Sequence, residues 1–186
     1  MAEKTGKTSL FDGLLKGNSA YASKANKAKL KELLKGQHPY AAVLSCSDSR
    51  VPAEAVLGAK GPGEIFVIRV AGNVAADASV LGSIEYAVEH LHVPLLLVMG
   101  HSECGAIKGA MKGGEQGHIA ALLSHLEPVC DKAHGDLPKA VELNVREQIR
   151  VILDSSDVVR LAREKGSLEV AGAVYFLDTG KIARVF

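Results

Sequence analysis

Val93-Pro94-Leu95-Leu96-Leu97-Val98-Met99-Gly100 runs straight into His101-Ser102-Glu103-Cys104. An apolar run of strand length that ends at glycine reads as a buried strand. The His and Cys that follow, three residues apart, read as two metal ligands delivered into a loop. A second such place lies upstream, where Ala41-Ala42-Val43-Leu44-Ser45 enters Cys46-Ser47-Asp48-Ser49-Arg50. If the two strands are parallel neighbours, their carboxyl ends put Cys46, His101 and Cys104 in one crevice. That is the edge at which open α/β sheets bind ligands. Two thiolates and an imidazole make a catalytic type of zinc site with the fourth position open.

Outward from these runs the chain alternates strand and helix. Glu64–Val70 is a further strand, rich in β-formers and interrupted by Arg69. Asp77–Leu91 is an amphipathic helix with Val80, Leu81, Ile84, Ala87, Val88 and Leu91 on one face. A short helix is expected from Pro52 to Leu57, a turn at Gly61-Pro62-Gly63, and helices over 104–112, 118–133, 138–154 and 157–165. Val170–Leu177 is a fourth main strand, and Asp178-Thr179-Gly180 turns the chain into a short last one, Ile182–Phe186. Alternation of this kind means an α/β fold around a mostly parallel sheet with right-handed crossovers. Ahead of it, residues 8–36 read as helical: Leu10, Phe11, Leu14 and Leu15 recur at helical spacing, and Asn18-Ser19 offers the cap for a second helix, Ala20–Leu34. That second helix is lysine-rich, which fits either a solvated face or an arm that packs on a partner subunit. No repeat or long linker divides the chain, so residues 1–186 are expected to be one domain, a helical arm over 1–36 and an α/β core over 37–186.

Composition excludes several classes. A net charge of +1, 4% aromatic residues and no tryptophan leave neither a nucleic-acid footprint nor a stacking surface. The apolar run from Val93 to Met99 is far too short to cross a bilayer. Lysine-rich Met1–Thr8 is followed by no secretory apolar core, so a cytoplasmic protein is expected. Three cysteines argue against a disulfide framework and for metal or catalytic use.

Each candidate has a plainer reading. A strand-end cysteine is often simply buried, but two ligand-bearing strand ends coincide here. If the first strand lies between the second and third, Cys46 and His101 flank the point where strand order reverses, and Cys104 opens the next helix. There, amide groups favour the thiolate. A structural zinc site would want four closing ligands; Cys130 lies among Leu122, Leu123, Leu126 and Val129 and reads as core. Asp48 and Arg50, two apart in an extended segment, would face the same way and could pair bidentately, or form only a weak surface ion pair. Paired, Asp48 can accept a hydrogen bond from water at the open position. Unpaired, it could itself become the fourth ligand, a closed state. A redox role for Cys104 lacks a resolving cysteine at Cys-x-x-Cys spacing.

Cys46-Ser47-Asp48-Ser49-Arg50-Val51-Pro52, Arg69-Val70-Ala71-Gly72-Asn73, Ser83-Ile84-Glu85-Tyr86-Ala87 and Gly100-His101-Ser102-Glu103-Cys104-Gly105 closely resemble the β-class carbonic anhydrases. The resemblance runs from about Leu10 to Phe186. It implies Cys46, His101 and Cys104 as ligands of one Zn2+ per subunit and Asp48–Arg50 as the catalytic dyad. It implies reversible hydration of CO2 to bicarbonate and a proton by zinc-bound hydroxide. Gln37 matches the amide that orients substrate in members with a permanently open zinc. Phe66 and Tyr86 match substrate-pocket positions, although each also reads as an ordinary core residue of its strand or helix. Bicarbonate-regulated members use a tryptophan near the site, and this chain has none. The implied fold is a four-stranded parallel sheet with an extra C-terminal strand, in a homodimer or dimer of dimers whose N-terminal arms cross the partner. Two rivals stay open: a zinc hydrolase of the same fold acting on CS2 or COS, and a non-catalytic zinc-stabilised binding module.

Overall fold

The apolar runs pair as one sheet. Strands β1 (Ala41–Ser45), β2 (Ile65–Arg69), β3 (Leu95–His101), β4 (Glu169–Tyr175) and β5 (Ile182–Arg184) lie in the order β2-β1-β3-β4-β5. The first four are parallel and β5 is antiparallel to β4. β1 therefore lies between β2 and β3, and β1 and most of β3 are buried on both faces. That double burial explains why they read as continuous apolar runs and not as alternating ones. This computed structural model describes residues 9–186, so the lysine-rich Met1–Thr8 lies outside the described residues.

The chain divides into two units, Met1–Gln37 and His38–Phe186. In the second, Ala42, Leu44, Leu96 and Val98 point to one face of the sheet and join the larger core. That core is covered by α4 (Ala78–Glu89), α5 (Gly105–Lys112), α7 (Glu127–Ala133), α8 (Leu137–Ser155) and α9 (Asp157–Glu164). Val43, Leu97, Met99 and Ala173 point to the other face, where Val51 and Ala53 of the segment around α3 (Ala53–Val56) close a smaller cluster. The first unit holds α1 (Leu10–Lys24), opened by a capping box between Ser9 and Asp12, and α2 (Lys27–Leu33). Neither helix buries a residue, and Leu10, Phe11 and Leu14 of α1 are 94%, 65% and 71% exposed. Among the described residues no helix is long and apolar enough to cross a membrane.

Two expected helices differ. The single helix over 118–133 is two, α6 (Gly117–Leu123) and α7, separated by a tight turn. Pro128 stands in the first turn of α7; it has no amide hydrogen for the Ser124 carbonyl and its ring would clash there, so a continuous helix cannot pass. In the N-terminal unit Asn18-Ser19 is not a cap. Ser19 Oγ donates to the Leu15 carbonyl inside α1, and Asn26 caps α2 instead, its Oδ1 accepting from Ala28 N and Lys29 N at 3.0 and 3.2 Å. The helix boundary therefore falls at Ala25–Asn26. The last strand is also shorter than expected, ending at Arg184.

Glycines let α8 reach the sheet. A Cβ on Gly100 would stand 2.8 Å from Val145 Cγ2, and one on Gly172 would stand 2.8–2.9 Å from Val145, Ile149 and Phe186 side-chain atoms. Gly172→Ala is therefore expected to destabilise by about 1–3 kcal/mol through overpacking. Gly82→Ala, on an α4 position where a Cβ meets nothing within 4 Å, should instead stabilise by about 0.5–1 kcal/mol. Urea unfolding of both variants measures the difference, and equal midpoints would refute this account of the α8 contact.

Candidate metal centre

The parallel register of β1 and β3 pairs Ser45 with Met99, so the residues that leave the two strands emerge at one level. Cys46 follows β1, His101 ends β3, and Cys104 is the N-cap of α5. The loop from His101 to Cys104 is tight: Ser102 N donates to the Tyr175 carbonyl, Ser102 Oγ accepts from Leu177 N at 2.9 Å, and Glu103 adopts a left-handed φ of 59°. The two Sγ atoms and a His101 ring nitrogen lie within 4.8 Å of one another, and all three residues are buried.

These donors fit a zinc ion. His101 Nδ1 lies 2.8 Å from the Ser102 carbonyl, the contact of an Nδ1–H donor. This leaves Nε2 as the lone-pair nitrogen. Nε2 is buried with no hydrogen-bond partner. An orphaned polar atom of that kind costs about 1–3 kcal/mol, which a cation there would offset. A set of two sulfurs and one imidazole nitrogen suits zinc over the hard oxygen-seeking cations.

The thiols share one negative charge unevenly. Cys46 is held well below the ordinary thiol value, first by the Cys104 S–H, then by His101 and the Asp48 and Gly72 amides; burial opposes this. Cys104 is pushed up, first by its hydrogen bond to Cys46 and then by burial. A helix start is expected to favour a thiolate at Cys104. The Ala106 and Ile107 amides do act on it in that direction, but the neighbouring Cys46 takes the charge. Gly72 N donates to Cys46 Sγ at 3.3 Å.

Asp48 and Arg50 do pair, though not across an extended segment. The chain turns at Ser49–Arg50, with Val51 N bonded to the Asp48 carbonyl. Asp48 Oδ1 accepts from both Arg50 N and Arg50 Nε at 2.9 Å, and Oδ2 accepts from Arg50 Nη2 at 2.7 Å. An Asx turn, and not strand alternation, brings them together. Both carboxylate oxygens are thereby engaged, and Asp48 Oδ2 stands 3.8 Å from His101 Nε2, beyond hydrogen-bonding distance. The Arg50 guanidinium holds the Asp48 carboxyl well below the usual carboxylate range. Arg69, read from sequence only as a break in β2, anchors this loop by donating to the Cys46 and Asp48 carbonyls at 3.0 and 2.6 Å. An arginine in an apolar strand was the available signal.

The three expected pocket residues each have their own surroundings. Gln37 is exposed and ends the first unit. Phe66 and Tyr86 meet each other, ring centroids 6.2 Å apart. Phe66 pairs with Ala42, three residues, or about 10 Å, before the strand edge at Ser45. A cavity of about 760 Å³ is lined by Arg50 and Ser102 together with Leu137, Val141 and Phe176, but not by Cys46, His101 or Cys104.

The family described as carbonic anhydrase matches residues 41–182. The chain is 35% identical over 158 residues to "Carbonic anhydrase 2" of Mycobacterium tuberculosis, covering 80% of this chain and 75% of that one. It is 34% identical over 190 residues to the carbonic anhydrase of Pseudomonas aeruginosa, covering 93% and 84%. Among solved structures it superposes with TM-score 0.86 on a tetrameric β-carbonic anhydrase of Sordaria macrospora, at 32% identity over 94% of this chain and 95% of that one. It also superposes with TM-score 0.86 on the Coccomyxa β-carbonic anhydrase in complex with acetazolamide, at 30% identity over 95% and 86%.

The Asp48–Arg50 geometry sets a pH dependence. A carboxyl held below its unfolded value of about 3.9 adds stability above that pH and loses it as pH falls towards the folded value. Arg50→Ala removes the main cause of the shift. In chelator-treated protein, the stability gap between wild type and Arg50→Ala should be present at pH 6 and shrink below about pH 4. Urea titrations across that range test it, and a gap that widens on acidification would refute it.

Proposed function

The chain belongs to the β-class carbonic anhydrases, and on that footing we propose that it hydrates CO2 reversibly to bicarbonate and a proton at a zinc ion held by Cys46, His101 and Cys104. The observation that carries this reading is the buried, partnerless Nε2 of His101 facing two cysteine sulfurs. Zinc bound there supplies a Lewis acid that makes water nucleophilic near neutral pH. The protein's own part is positional. Asp48, kept ionised by Arg50, can only accept hydrogen bonds. Beside the donor set it can take the hydrogen of a water and point that water's lone pair at the carbon of CO2. Because Arg50 occupies both oxygens of Asp48, the carboxylate serves as this acceptor and not as a fourth ligand, and the site works open. The reaction adds one water oxygen to carbon and frees one proton, which leaves to buffer.

Gln37, Phe66 and Tyr86 enter this reading through a second subunit. Phe66 is registered with Ala42, inside β1 and not at its edge, and Tyr86, which meets Phe66, is 48% exposed. The bare apolar side of α1, Leu10, Phe11 and Leu14, supports an arm that is covered in a homodimer or dimer of dimers. Unpaired Cys46, Cys104 and Cys130 suit a reducing, cytoplasmic setting.

Zinc-loaded protein should bind one zinc per chain and hydrate CO2 rapidly in stopped-flow assays. Asp48→Ala should keep the metal and lower kcat about 10²–10⁴-fold, whereas Cys46→Ala should lose both metal and activity. Zinc-replete protein that turns over COS or CS2 but not CO2 would overturn the substrate assignment. Zinc retention and unaltered stability alone, with no turnover of any of the three, would overturn the enzyme reading.

A further inference from the structure

The buried face of α8 carries two amides where its apolar stripe leads one to expect hydrocarbon. Asn144 and Gln148, one turn apart among Val141, Val145, Ile149 and Ile152, are 0% and 1% exposed. Every polar atom of the pair is used. Gln148 Oε1 accepts from Ala75 N at 2.8 Å, and Gln148 Nε2 donates to Asn144 Oδ1 at 2.9 Å. Asn144 Nδ2 donates to the Gly72 carbonyl at 2.8 Å and lies 3.4 Å from Asn73 Oδ1.

The four residues so clamped are a strained piece of chain. Gly72 and Asn73 both have left-handed backbones, φ 68° and 47°. A Cβ on Gly72 would stand 2.8 Å from Leu126 Cδ1, so only glycine fits beneath α7. A non-glycine residue held at positive φ persists only where its surroundings impose it, and the two amides of α8 are what grips this turn. Gly72, which Asn144 holds by its carbonyl, also carries the N–H that donates to Cys46 Sγ; its fixed left-handed φ and ψ link the two peptide planes.

We propose that Asn144 and Gln148 are positioning residues of the metal centre: acting through the 72–75 backbone, they aim the Gly72 N–H at the Cys46 sulfur and so set the electron density of that thiolate towards the metal. This rests on the zinc reading above. Outer partners of this kind tune both ligand orientation and donor strength. Nothing else on α8 needs these amides, since the packing of the helix on β3 and β4 is made by Val141, Val145, Ile149 and the two sheet glycines. Buried amides without a task would be replaced at little cost by leucine or methionine of similar size.

The test compares wild type, Asn144→Leu and Gln148→Met, each checked for folding by near-ultraviolet circular dichroism, with Ser156→Ala as control. Ser156 is equally buried and bonds Glu85 at 2.6 Å, far along the chain from the centre. Zinc affinity is read by chelator competition, and the cobalt-substituted proteins by their sulfur-to-metal charge-transfer band. Loss of the N–H donor leaves a more electron-rich thiolate, so Asn144→Leu should shift the band to longer wavelength; loss of the orientation it gives the sulfur should weaken zinc binding about 10–100-fold. Gln148→Met, which leaves the Asn144 bond in place but unbraced, should shift it less in the same direction. Ser156→Ala should lower stability and move neither reading. A folded variant at either position with the wild-type band and zinc affinity would overturn the inference while leaving the zinc reading intact. A wild type that takes up no zinc would instead overturn the reading beneath it.

Discussion

The parallel pairing of β1 with β3 is the constraint on which the rest of this structure depends. Its register sets Ser45 beside Met99; β1 ends there and Cys46 leaves the sheet, while β3 runs on. Two residues on, His101 completes β3, and the loop to Cys104 is short enough that α5 starts there. Side chains alternate across a sheet, so a slip of one residue would turn Leu44 and Val98 out of the larger core and move Cys46 away from His101 together. The hydrophobic pattern that specifies the core therefore specifies the ligand geometry as well. A register error would cost core and ligand geometry together.

Much of this was legible because burial on both faces writes itself plainly: Val93–Met99 and Ala41–Ser45 are apolar at every step, and residues of ligand chemistry stand immediately after them. The resemblance of the surrounding motifs to a known family then fixed the reading of the site. What the sequence did not disclose has particular causes. The break between α6 and α7 follows from Pro128, whose effect was overridden by an apolar stripe that continues in phase through Leu122, Leu123, Leu126 and Val129. The Asp48–Arg50 pair was expected for the wrong reason, because the chain after Cys46 turns at once and spacing rules for strands do not apply there. Charge sharing between Cys46 and Cys104 depends on which sulfur receives more donors, a three-dimensional fact with no local signature. Asn144 and Gln148, by contrast, left a readable trace: two amides four apart, in phase with the apolar face of a helix.

Charges around the centre are paired, Asp48 with Arg50 and Glu103 with Lys108. With a divalent zinc bound as proposed, two thiolates would match its charge, and Asp48 is already matched by Arg50. Desolvating a neutral cluster costs far less than burying its members singly. Partial charges do the remaining tuning: amides of Gly72 and Asp48 at Cys46, and those at the start of α5 at Cys104. These donors cannot be displaced by solvent or titrated, unlike a lysine or histidine in the same place.

That balance also shows which perturbations should act locally and which should spread. Removing Arg50 exposes one carboxylate at the rim, where water can solvate it, since the Asp48 side chain retains 16% of its exposure. Removing His101 or either cysteine leaves a buried charge or polar atom without its counterpart, and the sheet edge must then rearrange or unfold around it. The clamp on Gly72 lies between these cases. It carries no charge and touches no metal donor directly, yet it bonds the left-handed turn whose Gly72 N–H donates to Cys46. The geometry of the centre is thus shared between a register that all parallel sheets possess and a pair of amides that a generic helix would not place there.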